Sequence, residues 1–153
     1  MEPGTKPIKH ILWDWNGTLL DDLWLSVEAI NVILTRYRLP TISREYYLDI
    51  FAFPVKAYYR RLGFDFKRHP FETVGTEFIM EYTRRMREPD LRPGAQACLE
   101  HLADNGVKQH IFSAAKKEML EDLLSYHGLR SCFEDVIGQN DHYAHGKTDA
   151  GRA

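Results

Sequence analysis

The sequence predicts an α/β fold: a parallel sheet with a helical block inserted after its first strand. Three observations lead there. The apolar run Ile11-Leu12-Trp13 has the texture of a strand buried in a parallel sheet, and it stops at Asp14 and the turn dipeptide Asn16-Gly17. Residues 23–88 show helical periodicity with no strand pattern among them. After Pro89 the pattern becomes helix–strand–helix–strand, the alternation of α/β layers.

Residues 1–7, with two prolines and a glycine, read as a loose leader, and the first strand covers 8–13. Val27, Ile30, Leu34 and Tyr37 recur at helical spacing and predict a helix over 24–37, closed by Pro40. A shorter helix over 43–51 follows. Phe53-Pro54 opens a third, with Val55, Tyr58, Tyr59 and Leu62 on its face and Gly63 as its stop. Phe71, Val74, Phe78 and Tyr82 mark a longer helix over 70–87. Pro93-Gly94 then turns the chain into a helix faced by Ala95, Cys98, Leu99 and Leu102, ending at Gly106. The second strand runs from Val107 to Phe112 and lands on Ser113. The next helix, 116–127, carries Leu120, Leu123, Leu124 and His127 and stops at Gly128. Phe133 to Ile137 is the third strand, followed by a polar loop over 138–146, Lys147 and the start of another helix.

At 153 residues the chain is one ordinary domain, or a small one with an insertion. Hydrophobic residues at 44% and charged ones at 27% allow a real core and argue against wholesale disorder. A net charge of −2 gives no reason to expect nucleic acid or an anionic membrane as a partner. The start MEPGTKPIKH lacks the apolar centre of a signal peptide and no stretch approaches a membrane span, so a cytoplasmic protein is expected. Cys98 and Cys132 stand among apolar residues and are expected as buried free thiols in a reducing compartment. There is no repeat, G-x-G-x-x-G, P-loop or C-x-x-C.

Ligands of open α/β sheets gather at the carboxyl ends of the strands. Three polar residues stand at such places: Asp14, Ser113 and Lys147. Asp14 taken alone is read more simply as an Asx cap of its own turn. Together, a carboxylate, a hydroxyl and an ammonium suit a phosphate ester held with a metal ion. The carboxylate would attack phosphorus, the hydroxyl would donate a hydrogen bond, and the lysine and metal would spread the phosphoryl charge.

In these residues the chain resembles the haloacid dehalogenase superfamily of phosphohydrolases, in particular its phosphoglycolate-phosphatase-like members with a helical cap. Asp14-Trp15-Asn16-Gly17-Thr18-Leu19, the strand ending IFSA at Ser113, and HGK at Lys147 carry the resemblance, in that order. It implies a Rossmann-like core over 1–22 and 89–153 and a helical cap over 23–88, where that family inserts one. It also implies that Asp14 is the nucleophile and forms an aspartyl-phosphate. The other oxygen of Asp14 and the backbone carbonyl of Asn16 would hold Mg²⁺. Ser113 and the N–H of Ala114 would bind phosphoryl oxygens, Lys147 would neutralise charge, and Gly17 and Thr18 would shape the loop on which the cap opens. The activity implied is Mg²⁺-dependent hydrolysis of a small phosphorylated metabolite, by a monomer or weak dimer.

Two departures from the family pattern stand out. Where its phosphatases carry a second aspartate, as general acid and base, this chain has Asn16. Losing such help costs on the order of 10²–10⁴-fold in rate. That leaves open a weak phosphatase, a phosphate binder, different leaving-group chemistry, or another residue that supplies the proton. Restoring aspartate at 16 is expected to raise activity. The family's fourth, acidic motif would follow a further strand, and the sequence stops at Ala153 before it. The expectation is a core lacking its C-terminal part, reduced activity, and a first strand left at a sheet edge.

Other residues have plainer readings. His142 and His145, with Asp141, form H-x-x-H without a third ligand at characteristic spacing, which reads as solvated loop. The basic runs 56–61, 84–87 and 116–117 read as solvated helix faces, with Lys56 or Arg60 as candidates to reach over a substrate. The aromatic residues from Tyr46 to Tyr59 read as cap core, and Asp21-Asp22 as favourable charge at the next helix's N-terminus. Alternatives to a phosphatase are an impaired relative or fragment that binds phosphate or a partner, and a dehalogenase or phosphonate-cleaving relative. A receiver-like signalling domain also uses Asp, Ser/Thr and Lys at strand ends, but the long insertion after the first strand argues against it.

Overall fold

The computed structural model describes residues 7–140. Their order is β1 (His10–Trp13), α1 (Leu23–Arg36), α2 (Arg44–Ile50), α3 (Val55–Arg61), α4 (Phe71–Arg85), α5 (Ala95–Asp104), β2 (Lys108–Lys116), α6 (Lys117–Tyr126) and β3 (Asp135–Gln139), with a 3₁₀ turn at Arg130–Cys132. The three strands form one parallel sheet in the order β1-β2-β3. Leu12 lies beside His110, and Ile111 beside Val136. This is the α/β architecture expected, with four helices over residues 23–88 and a fifth, α5, between β1 and the rest of the sheet. No helix among the described residues is long and apolar enough to cross a membrane.

The helical faces read from the sequence are the ones that become buried. Ile30, Leu34, Tyr59 and Val74 pack into one cluster that holds α1 to α4 together. Leu99, Ile111, Leu120 and Leu124 pack with Trp15 and Leu20 into another, which joins the sheet to α5 and α6. Leu25, Ala29 and Tyr82 tie α1 to α4 where the two clusters approach. Ser43 caps α2 by accepting the Tyr46 N–H at 3.1 Å. The Asn31 side chain both donates to and accepts from the Ile42 backbone, at 2.9 and 2.8 Å, which fixes the turn between α1 and α2.

Several details differ from the sequence reading. β2 does not stop at Phe112 but continues through Ser113 to Lys116, with its ladder to β3 irregular between Phe112 and Lys116. Cys98 is exposed on α5 rather than buried, because its helical position lies off the face that Ala95 and Leu99 present to the core. Cys132 is half-buried, and burial, followed by the Glu100 charge, raises its thiol pKa. β1 pairs with β2 alone among the described residues and leaves Leu12 64% exposed. Lys147, His142 and His145 lie outside the described residues.

Gly138 marks a close approach of β3 to β2 and α6. A Cβ there would come within 2.7 Å of the Ala115 carbonyl oxygen and 2.9 Å of the Lys117 Cα. Backbone on both sides cannot yield cheaply, so Gly138→Ala is expected to cost about 1–3 kcal/mol. A urea denaturation midpoint shifted at constant slope checks it.

Candidate functional site

The site begins with Trp15, whose side chain is fully buried in the sheet-side cluster. Anchoring that indole fixes its two neighbours, Asp14 and Asn16. The chain then closes a tight loop: the N–H groups of Thr18, Leu19 and Leu20 converge on the Trp15 carbonyl at 3.2, 3.0 and 3.1 Å. Gly17 turns at φ +72°, which a glycine adopts without steric cost. Arg92 N–H donates to the Leu19 carbonyl at 2.8 Å and Asp21 N–H to the Asp90 carbonyl at 2.9 Å, so the loop is tied to the segment before α5.

Asp14, Asn16 and Gly17 line a cavity of about 330 Å³ together with Ser113, Ala114 and Lys116 from β2. The cavity's other walls come from the helices, with Tyr47 of α2, Tyr58 and Tyr59 of α3, and Phe78 and Tyr82 of α4. Its floor is therefore polar strand-end and loop, and its roof is largely aromatic. Of the residues singled out in the sequence, Asp14, Asn16, Gly17, Ser113 and Ala114 meet at this cavity. Thr18 is not among its lining residues, but its hydroxyl donates to Asp14 Oδ2 at 3.2 Å. Ser113 is 2% exposed and its Oγ accepts the Ala115 N–H at 3.1 Å, which leaves the hydroxyl proton available to another acceptor.

A residue with no site role in the sequence reading sits at the centre of the hydrogen bonding. Asp22 precedes α1, where it reads as favourable charge at the helix N-terminus, and its side chain makes no capping bond. It is 1% exposed. Its Oδ2 accepts from Asn16 Nδ2 at 2.7 Å and from the Tyr82 hydroxyl at 2.7 Å, and its Oδ1 accepts the Gly17 N–H at 2.8 Å. Asn16 Nδ2 also donates to the Tyr82 oxygen at 3.2 Å. A buried carboxylate needs donors around it, and here an amide, a phenol and a backbone N–H supply them. Burial, then the Asp22 charge and hydrogen bond, push the Tyr82 hydroxyl pKa far up, and burial followed by Asp22 does the same to Tyr47. Both phenols stay neutral. Tyr82 was legible only as a helix-face residue, and Asp22 only as one of two acids before a helix.

The charged candidates on the helices lie elsewhere. Lys56 rests over the Phe66 and Phe71 rings and Arg60 over Phe66, and neither lines the cavity. Lys116 does line it, and its Nζ pairs with Glu118 at 2.8 Å. A separate group, His110 with Glu134 and Asp135, has ligand atoms close enough for a cation. His110 already places Nδ1 on Asp135 at 2.8 Å and the other ring nitrogen on His10 at 3.1 Å. It is a hydrogen-bonded tie across three strands, away from the cavity.

The family of haloacid dehalogenase-like hydrolases matches residues 11–149, nearly the whole sequence. This chain belongs to that family. Solved structures share the fold. A predicted phosphoglycolate phosphatase of Haemophilus somnus superposes with a TM-score of 0.74 at 20% identity, over 90% of this chain and 65% of its own. A haloacid dehalogenase-like hydrolase of Streptococcus pneumoniae gives 0.80 at 16% identity, over 95% and 67%. CbbY of Rhodobacter sphaeroides, solved in complex with phosphate, gives 0.69 at 21%, over 88% and 64%. The chain thus spans about two thirds of the length of these haloacid dehalogenase-like structures. No curated protein matches it.

Proposed function

We propose that this chain carries out Mg²⁺-dependent hydrolysis of small phosphate monoesters through an aspartyl-phosphate on Asp14. The observation that supports it most is the shared cavity: Asp14 from the end of β1 and Ser113 from β2 line the same space. A carboxylate oxygen of Asp14 attacks phosphorus, the ester oxygen departs with its electron pair, and water then hydrolyses the acyl phosphate. The Thr18 hydroxyl orients Asp14. Ser113 Oγ and the Ala114 N–H receive the phosphoryl oxygens, the role of charge neutralisation falls to Lys147, and the helical block 23–88 acts as a cap that excludes water. Gly17 and Thr18 form its hinge loop.

The Asp14 carboxylate and the Asn16 backbone carbonyl are hard oxygen donors, and Mg²⁺ binds through one or two such groups while keeping several waters. These two residues would hold the ion, which when bound screens the charge of the phosphoryl group. Asp22 is unsuited to that role because three donors already occupy its oxygens. The reading includes a monomer or weak dimer in the cytoplasm, with no nucleic-acid partner. Phosphate release from para-nitrophenyl phosphate tests it: activity is expected with Mg²⁺, lost with excess chelator and regained on adding Mg²⁺ back. A second reading, favoured by Asn16, is phosphate binding without turnover. Phosphate that binds measurably while no ester is cleaved would select it.

A further inference from the structure

The cavity's roof and floor differ in chemistry, and that difference bears on the substrate. Tyr47 and Phe51 stack with ring centroids 5.0 Å apart, and Tyr58 meets them edge-on at 5.6 and 5.1 Å. All three line the cavity, and Tyr59, Phe78 and Tyr82 extend the same wall. Such a surface takes flat apolar groups. The charged side chains lining the cavity are Asp14, Asp22 and Lys116. Asp22 is engaged by its three donors, and Lys116 stands three residues past Ser113 on β2, at the floor. Among the described residues, nothing on the aromatic side offers a cation to a second anionic group.

A further observation narrows the choice. Asn16 occupies the loop beside Asp14, and its amide nitrogen donates to Asp22 and Tyr82. An amide is too weak an acid to give the departing oxygen a proton. A phenolic oxygen, with a solution pKa of about 10, leaves without one far more readily than an alkoxide.

We infer that the substrate is an aryl phosphate: a phosphate monoester of an uncharged, phenol-type alcohol whose ring lies against Tyr47 and Phe51. This deepens the phosphohydrolase reading and rests on it. In the step, an Asp14 oxygen bonds to phosphorus while the bond from phosphorus to the aryl oxygen breaks. The aryloxide leaves with the electron pair and takes a proton from water. A second water then releases inorganic phosphate and restores the Asp14 carboxylate.

Inert phosphonates separate this inference from the reading beneath it, with affinities measured by calorimetry on the intact chain and Mg²⁺. Phenylphosphonate is expected to bind about 10-fold or more tighter than methylphosphonate, from burial of the ring. Phosphonoacetate, with its second anionic group, is expected to gain nothing over methylphosphonate. Phe51→Ala is expected to reduce the advantage of phenylphosphonate over methylphosphonate by about 3- to 10-fold, from loss of the ring contact. If methylphosphonate binds but phenylphosphonate is no tighter, or phosphonoacetate is tighter than both, the aryl assignment is overturned and the phosphoryl site stands. If no phosphonate and no inorganic phosphate binds, both fail.

Discussion

Asp14→Asn is expected to reduce phosphate release by about 10⁴-fold or more, since removing a nucleophile leaves only binding and electrostatic help. The variant keeps an oxygen able to accept the Thr18 hydroxyl, which donates to Asp14 Oδ2 at 3.2 Å. The fold should therefore survive, with an unchanged circular dichroism spectrum and melting temperature. The loss then belongs to the chemistry. Rapid acid quench of the wild type in mid-turnover is expected to leave a phosphoryl mass on the peptide containing Asp14, absent from the variant. Turnover that continues in Asp14→Asn would end the nucleophile assignment.

The second large effect concerns Asn16. From the sequence, aspartate at this position is expected to raise activity, but the structure changes the terms of that experiment. Asn16 Nδ2 lies 2.7 Å from a carboxylate oxygen of Asp22, a residue only 1% exposed. Asn16→Asp replaces a donor with an acceptor and sets two carboxylates against each other in a buried place. Leaving a buried charge without its partner costs about 3–5 kcal/mol, and a loss of that order is expected in urea denaturation. Acidification protonates one member of the pair in the folded state before it protonates an isolated carboxylate in the unfolded chain. The folded state then binds more protons, so the deficit is largest near about pH 7 and shrinks toward about pH 4. The exchange Asn16→Asp with Asp22→Asn restores one donor facing one acceptor. It is expected to recover most of the stability and to raise turnover by about 10²-fold or more by placing an acid beside Asp14. A single variant as stable as the wild type would remove Asp22 from this account.

Much of this molecule was legible because its signals are local. An apolar run ending on Asp14 and a turn announces a strand and its exit, and the helices of residues 23–88 follow from side chains repeating every 3.6 positions. Ser113 was singled out as the residue following the second strand, whereas β2 runs on past it. How far a strand extends depends on its neighbour's backbone, and the β3 ladder there is irregular. Asp22 was passed over as a site residue because an acid just before a helix has an ordinary explanation, favourable charge at the helix N-terminus. What overrides that explanation is Tyr82, 60 positions away, whose hydroxyl donates to it. No periodicity encodes such a meeting. A local hint existed in an amide where an acid is expected, followed six residues later by an extra acid. Cys98 shows the converse error: apolar neighbours in sequence do not share its face of α5.

The buried Trp15 has a consequence for how such a loop diversifies. Its position is inherited from the packing of the sheet rather than from what the residues beside it do. The side chain one step beyond it can therefore be exchanged among acid, amide or apolar types while the backbone that presents it keeps its path. Reaction type becomes a separable trait, open to revision by a paired exchange at positions 16 and 22.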